Sequence, residues 1–104
     1  MAIIDHPRGR LVEPLNNPVR FSIVAALAPV DRLAFRELRD ALGLTDSALS
    51  KQISTLEEVG LVKVSKSFVG KKPITHVALP KEGLAAWDQH LTALRQIAEG
   101  LPGT

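Results

Sequence analysis

Residues 45–60 show the clearest pattern of apolar and polar positions in the chain. Leu49, Ile53 and Leu56 recur at helical spacing, which predicts an amphipathic helix with one buried stripe. Thr45 stands where a helix cap belongs. The opposite face carries short hydrogen-bonding side chains and one cation, namely Ser47, Ser50, Lys51, Ser54 and Thr55. Such a face can approach a polar surface closely and exchange hydrogen bonds with it.

Two shorter helices are predicted before this one. Asn17 followed by Pro18 is typical of a helix start, and apolar spacing continues the helix over residues 19–28. A second helix is predicted over residues 35–42, with Gly43 able to end it. Because only a short turn then leads into the Ser-rich helix, the pair is typical of a helix-turn-helix whose second member is the recognition helix.

A spacing of two residues replaces the helical spacing after Gly60. Val62, Val64 and Phe68 alternate with polar residues, which predicts a strand with these three side chains facing inward. A turn-forming loop over residues 70–73 and a return strand over residues 74–79 complete a predicted β-hairpin.

The last helix is predicted over residues 81–100. Its apolar residues alternate in spacing between three and four, which is typical of a coiled-coil seam: Leu84, Trp87, Leu91, Leu94, Ala98 and Leu101. We expect a second copy of the chain to pack on this seam and form a homodimer. The alternative is that the stripe only covers the domain's own core.

Composition excludes several classes of protein. A chain of 104 residues has the length of one domain. Without cysteine it has no disulfide, no thiolate zinc site and no cysteine nucleophile. Its apolar runs stay well below the ~20 residues that cross a bilayer, and the N-terminus lacks a signal layout, so no membrane association and a cytoplasmic location are expected.

The charge distribution is more informative than the net charge of +2. Residues 61–80 contain four lysines and no Asp or Glu: Lys63, Lys66, Lys71 and Lys72. Such a local basic patch on a hairpin favours contact with nucleic acid, although solvated surface charge is the alternative for each lysine taken alone. Arg20, in the first turn of the first helix and off its apolar face, is a further candidate for contact with a phosphate or a carboxylate, or a plain surface arginine.

An enzyme is disfavoured. His6, His76 and His90 lie on different predicted elements without metal-ligand spacing, and we find neither a glycine-rich phosphate loop nor a nucleophile elbow. No metal and no cofactor are expected. His90 is interpreted as a solvated histidine at the helix edge, with a pH-sensitive dimer contact as the alternative.

The run from Asn17 to Leu27 resembles the Ser-Pro-x-Arg-x-x-Ile-Leu-x-x-Leu opening of bacterial and archaeal winged-helix regulators of the ArsR/MarR superfamily. Further segments resemble one subgroup of this superfamily, the small single-domain winged helix DNA-binding regulators: residues 35–38, 49–53, 56–62 and 66–73. The resemblance extends over about residues 11–99. Family members often carry His where Gln52 stands and Thr where Pro80 stands.

The patterns and the resemblance together predict a mainly α-helical protein with a small β-hairpin. The expected fold is a winged helix-turn-helix with a three-helix core, a wing of two or three strands, and a long C-terminal dimerisation helix. The expected organisation is an N-terminal arm over residues 1–10, a DNA-binding domain over residues 11–80, and the dimerisation helix and tail over residues 81–104.

The resemblance implies a transcriptional regulator that binds double-stranded DNA sequence-specifically as a homodimer. The helix over residues 45–60 is expected in the major groove, and the wing over residues 63–73 on the flanking backbone or minor groove. A two-fold dimer predicts a near-palindromic site, and an unknown small-molecule effector stays open. The alternative is a winged helix that binds protein without binding DNA, for which the polar face of the helix is poorly suited.

Overall fold

The structure of the protein is a computed structural model, and it describes residues 5–100. Two short 3-10 helices open this part of the chain, at Pro7–Arg10 and Glu13–Asn16. The remaining elements follow in the order α1 (Pro18–Leu27), β1 (Leu33–Ala34), α2 (Phe35–Leu42), α3 (Asp46–Glu58), β2 (Lys63–Val69), β3 (Lys72–Ala78) and α4 (Lys81–Ala98). This arrangement confirms the predicted mainly helical fold with a helix-turn-helix and a wing. Within residues 5–100 no helix combines the length and the apolar character that crossing a membrane requires.

The helix bounds follow from local caps. The Asn17 side chain accepts hydrogen bonds from the backbone N–H groups of Val19 at 2.9 Å and Arg20 at 3.0 Å. Thr45 caps α3 in the same way, since its hydroxyl oxygen lies 3.1 Å from the backbone nitrogen of Ala48. These donors have no partner inside the first helical turn, so each cap sets the residue at which its helix begins.

The sheet is antiparallel, with β3 between β1 and β2. β2 and β3 pair continuously from Lys63 opposite Ala78 to Val69 opposite Lys72, so the connecting turn contains only residues 70–71. The predicted loop over residues 70–73 is therefore too long. Gly70 has a φ of 63°, which allows so tight a turn, and the strands continue almost to it.

The core lies where α1, α2 and α3 meet the base of the sheet. The α3 stripe is buried as predicted, with Leu49 and Leu56 at 0% and Ile53 at 5% exposure. Val62 and Val77 are also buried, in line with the predicted alternation. The buried apolar residues of this core are Leu15, Ile23, Val24, Leu27, Leu38, Leu49, Ile53, Leu56, Leu61, Val62 and Val77.

Phe68 corrects the predicted alternation. Its side chain is 70% exposed, although it lies on the same face of the sheet as the half-buried Val64. The physical reason is length: β2 extends beyond the core, so its outer residues keep the alternation without a helix over them. Periodicity identifies the face of a strand, and the neighbouring elements decide how much of that face is buried.

The segment predicted as an N-terminal arm is docked on α4 where the structure describes it. Nε2 of Gln89 donates to the carbonyl of Arg10 at 2.9 Å, and just beyond this segment the backbone N–H of Val12 donates to Nδ1 of His90 at 3.0 Å. The Arg10 guanidinium also donates to Oε1 of Gln96 at 2.8 Å. The prediction of a loose arm is therefore wrong for residues 7–10, because Arg10 has its polar partners on a helix about 80 residues later in the chain. Residues 1–4 of the predicted arm lie outside the described residues.

The start of α4 is held close to the end of the helix-turn-helix. Pro80 occupies the cap position without a side-chain hydrogen bond, and its carbonyl accepts from the N–H of Leu84 at 3.0 Å. Gly83 packs directly on the backbone of Leu61, since a Cβ placed at Gly83 would overlap the Leu61 carbonyl oxygen. Glycine inside a helix usually lowers stability, but here only glycine leaves room for the Leu61 carbonyl.

Candidate nucleic-acid interface

The polar face of α3 points away from the core. Buried Leu49, Ile53 and Leu56 hold one side of the helix, so the side chains between them are turned outward. Four of the predicted contact residues are exposed there: Ser47, Ser50, Lys51 and Ser54. They occupy nearly two turns of one helix face, which places hydroxyl groups around a single ammonium group.

Thr55 differs from the other candidates on α3. It is only half-exposed, and its hydroxyl donates to the carbonyl of Lys51 within the same helix at 3.2 Å. A hydroxyl bonded to its own helix is less available to an external partner. The structure therefore separates Thr55 from the exposed serines.

Arg39 binds the first turn of α3 to α2. Its Nη1 lies 2.8 Å from Oδ1 of Asp46, and its Nε lies 2.9 Å from Oδ1 of Asp40. Asp40, and then Asp46, raise the pKa of the Arg39 guanidinium above its ordinary value. The guanidinium compensates two carboxylates beside the polar face of α3, which would otherwise repel a polyanion.

Arg20 lies behind α3 rather than at its exposed face. Its Nε donates to the carbonyl of Pro14 at 2.7 Å, and its Nη1 donates to Oε1 of Gln52 at 3.0 Å. Its partners within the chain are a carbonyl and an amide and not a carboxylate, and a contact with phosphate stays a prediction. The plain surface interpretation is also wrong, because the residue is half-buried. Arg20 thus supports α3 through Gln52.

All four wing lysines are exposed, but the strand register separates them. Lys71 lies in the turn, and Lys72 follows it at the start of β3. Lys63 lies at the opposite end of β2, about 20 Å from the turn at ~3.3 Å per residue. The four lysines are close together in the sequence, but the hairpin holds Lys63 far from Lys71 and Lys72.

Lys66 lies on the sheet face that is turned toward α3. It borders a cleft of about 310 Å³ between the wing and α3. Ser50, Ser54 and the carboxylate residue Glu57 border the same cleft from α3, whereas Ile53, Val64 and Val77 supply apolar lining. The cleft therefore joins the exposed serines of α3 to Lys66 of the wing. Together with the neighbouring exposed residues of α3 and the lysines at the turn, they make up what we call the α3–wing surface: Ser47, Ser50, Lys51, Ser54, Lys66, Lys71 and Lys72.

Two neighbouring faces of α4 have different partners. Gly83, His90 and Ala93 are buried against the chain itself. Trp87, assigned to the dimer seam from the sequence, also packs inward, with its ring centroid 4.8 Å from that of Phe21. The own-core face is thus offset from the predicted seam and overlaps it at Trp87.

The rest of the predicted seam is less covered. Leu84 is 43% and Leu94 is 37% exposed, Leu91 is half-buried, and Ala98 is exposed. Leu101 lies outside the described residues. These side chains form an apolar strip along α4, so dimerisation through this helix stays a prediction.

His90 corrects a further sequence interpretation. Its side chain is 1% exposed and not solvated, and its Nδ1 accepts the N–H of Val12. Burial lowers the pKa of His90 below its ordinary value. A signal was present in the sequence, because Gly83, His90 and Ile97 recur every seven residues on a second stripe that the stronger leucine pattern concealed.

Known proteins share this architecture. Residues 19–98 match the family described as winged helix DNA-binding domain. A solved structure of a transcriptional regulator homologue from Pyrococcus horikoshii OT3 has a TM-score of 0.80 and 32% identity, over 86% of this chain and 88% of that chain. An uncharacterized protein from Methanocaldococcus jannaschii is 28% identical over 86 residues, which is 83% of this chain and 94% of that protein.

Solved structures of MarR-family transcriptional regulators share the fold. The S. aureus MepR–DNA complex is one structural neighbour, with a TM-score of 0.70 and 13% identity, over 84% of this chain and 74% of that chain. At such identity the likeness concerns the fold alone. The sequence-based resemblance to winged helix regulators is confirmed by the family match.

Proposed function

The chain belongs to the winged helix DNA-binding domain family, and from that premise we propose that it regulates transcription by binding double-stranded DNA as a homodimer. The observation that carries the proposal is the α3–wing surface. It combines an exposed hydroxyl-rich helix face with lysines on a hairpin that contains no acidic residue. A regulator of this kind would act in the cytoplasm.

In this proposal α3 lies in the major groove. The groove is about 12 Å wide and admits a helix, and each base pair presents a distinct pattern of donors and acceptors there. Lys51 has the longest side chain on the exposed face and would reach a guanine edge or a phosphate. Ser47, Ser50 and Ser54 would contact base edges or adjacent phosphates at short range.

The wing would contact the flanking DNA. Lys71 and Lys72, at the turn, would bind phosphates on either side of the adjacent minor groove, with Lys66 between the wing and α3. Phosphate contacts of this kind orient a protein on the duplex and make its affinity fall with salt. Lys63 is the weakest of the wing candidates because it lies at the far end of β2.

The apolar strip of α4 would hold two copies together. A two-fold dimer presents two recognition helices about one helical turn, ~34 Å, apart, so the site would be a near-palindrome. The mass of the protein in solution tests this point. A monomer at micromolar concentration would contradict the dimer and leave DNA binding by one copy to be judged separately.

Selection from random duplex DNA at physiological salt tests the function as a whole. The proposal expects an enriched motif whose two halves are related by symmetry and lie about 10 base pairs apart. Lys51→Ala should change the preferred bases, whereas Lys81→Ala, an exposed lysine outside the α3–wing surface, should leave the motif unchanged. A protein-binding winged helix would instead enrich no motif and show no salt-dependent affinity for DNA.

A further inference from the structure

Two large apolar side chains stand at the end of the wing. Phe68 is 70% and Val69 is 66% exposed, the highest values among the large apolar residues that the structure describes. Pro73, directly opposite Phe68 in the register, is also exposed. A phenyl ring exposed to water at the end of a hairpin adds nothing to the core, whereas a partner that covered the end of the wing would bury it.

The strand register shows which way Phe68 faces. Val64, Lys66 and Phe68 share one face of β2, since successive side chains of a strand alternate between faces. Val64 and Lys66 border the cleft that Ser50 and Ser54 of α3 also line. Phe68 therefore lies on the same face as that cleft, about 7 Å farther toward the turn than Lys66. Val69 lies on the opposite face.

The charge around Phe68 indicates the chemistry of the partner. Lys66 lies on the same face of β2 two residues before Phe68, Lys71 lies in the turn, and Lys72 pairs with Val69 and so lies on the opposite face of the hairpin. Residues 61–80 contain no Asp or Glu. An apolar protein surface would not match cations on both faces of the hairpin end, whereas a polyanion with an apolar interior edge, the minor groove of duplex DNA, matches both the cations and the ring.

Resting on the proposed function, we propose that Phe68 enters the minor groove next to the major groove occupied by α3. Its ring packs against the sugars and opens the adjacent base step, while Lys71 and Lys72 bind the phosphates of the two groove walls. Apolar wedges of this kind unstack and kink the duplex. Pyrimidine–purine steps such as TA deform most readily, so Phe68 selects sequence at flanking positions that α3 does not contact.

The experiment uses the full chain and duplexes that carry its selected site. The flanking step beneath the wing is either TA or GG, and affinity is measured over a series of salt concentrations. Phe68→Ala removes the ring and Phe68→Leu retains an apolar side chain. Val69→Ala is the matched control, because that residue is similarly exposed on the opposite face of the same strand. Thermal unfolding of each variant verifies that the exposed substitution leaves the fold intact.

The expected result is a preference of the parent for the TA duplex. Phe68→Ala loses that preference and about tenfold in affinity for the TA duplex, Phe68→Leu loses less, and the salt slope stays unchanged because no cation is removed. Val69→Ala behaves as the parent. Fluorescence energy transfer between the duplex ends shows less bending with Phe68→Ala than with the parent.

Three outcomes overturn the inference. Equal affinity and preference of Phe68→Ala and the parent would remove Phe68 from the interface while leaving DNA binding intact. A change in solution mass with Phe68→Ala would make a second copy of the chain its partner. A parent protein that shows no salt-dependent affinity for any duplex would remove the proposed function, and this inference with it.

Discussion

Replacing Lys71 and Lys72 together by alanine tests the wing by its effect on salt dependence. Each lysine that neutralises a phosphate adds about 0.9 to the slope of log affinity against log salt. The double replacement should therefore flatten the slope by about 1.8 if one wing touches the duplex, and by about 3.6 if both wings of a dimer do. Between 50 and 200 mM salt, a slope difference of 1.8 corresponds to a change of about twelvefold in relative affinity.

Fluorescence anisotropy with a labelled duplex, repeated at five or more salt concentrations, measures this slope. The loss should be similar for specific and unrelated duplexes, because phosphate contacts carry no direct sequence information. Lys63→Ala tests the register, since it removes a cation from the same hairpin at the end farthest from the turn. Lys81→Ala with Arg95→Ala is a charge-matched control on the exposed surface of α4.

The wing assignment is refuted if the Lys71 and Lys72 double variant keeps the parent slope. It is also refuted if the α4 control flattens the slope equally, because the effect would then follow net charge and not position. An equal effect of Lys63→Ala alone would show that the base of the hairpin, and not its turn, lies on the duplex.

Three further predictions concern how the surface is supported. Arg20→Met should lower the free energy of unfolding by about 1–3 kcal/mol, because it leaves the Gln52 amide and a backbone carbonyl without their donor. The salt slope of DNA binding should stay within error of the parent. A slope flatter by about 0.9 would instead make Arg20 a phosphate contact. Urea unfolding between pH 7 and pH 5 should show parent stability falling with acid and His90→Gln falling less. Burial lowers the pKa of His90, so the contribution of the neutral ring to stability is complete above the ordinary pKa of about 6.5. That contribution is lost as the pH falls through the lower pKa of the folded state, because the protonated ring no longer accepts the N–H of Val12. Identical pH profiles of the two proteins would contradict this. Gly83→Ala should destabilise the fold by about 1–3 kcal/mol through overpacking on the backbone beneath it, whereas an unchanged urea midpoint would show that α4 can shift without cost.

The helices were predictable because their signals are local. Asn17 and Thr45 each satisfy backbone donors within three residues, so the start of a helix depends on a few neighbours in sequence. Gly43 ends α2 with a φ of 65°, which a glycine adopts without strain. The stripe on α3 needed only a core to cover it, and any compact arrangement of three helices supplies one.

Several candidate-site roles were not predictable because they depend on partners far away in the chain. Arg20 meets Gln52 across 32 positions, and His90 meets Val12 across 78. Arginine and histidine occur both at exposed positions and in buried hydrogen bonds, and the neighbouring residues in the sequence do not distinguish these two environments. The positions of the wing lysines depended in the same way on the register of a hairpin whose turn proved shorter than its composition suggested.

By itself the sequence determined the fold class, the helix-turn-helix, the exposed polar face of α3 and the basic character of the wing, because each follows from periodicity, caps and charge over short stretches. The tertiary structure decided how far burial extends along each face. Val64 and Phe68 obey the same alternation, yet one meets the core and the other stands beyond it. Alternation records the direction of a side chain, whereas burial depends on what the rest of the chain places over it.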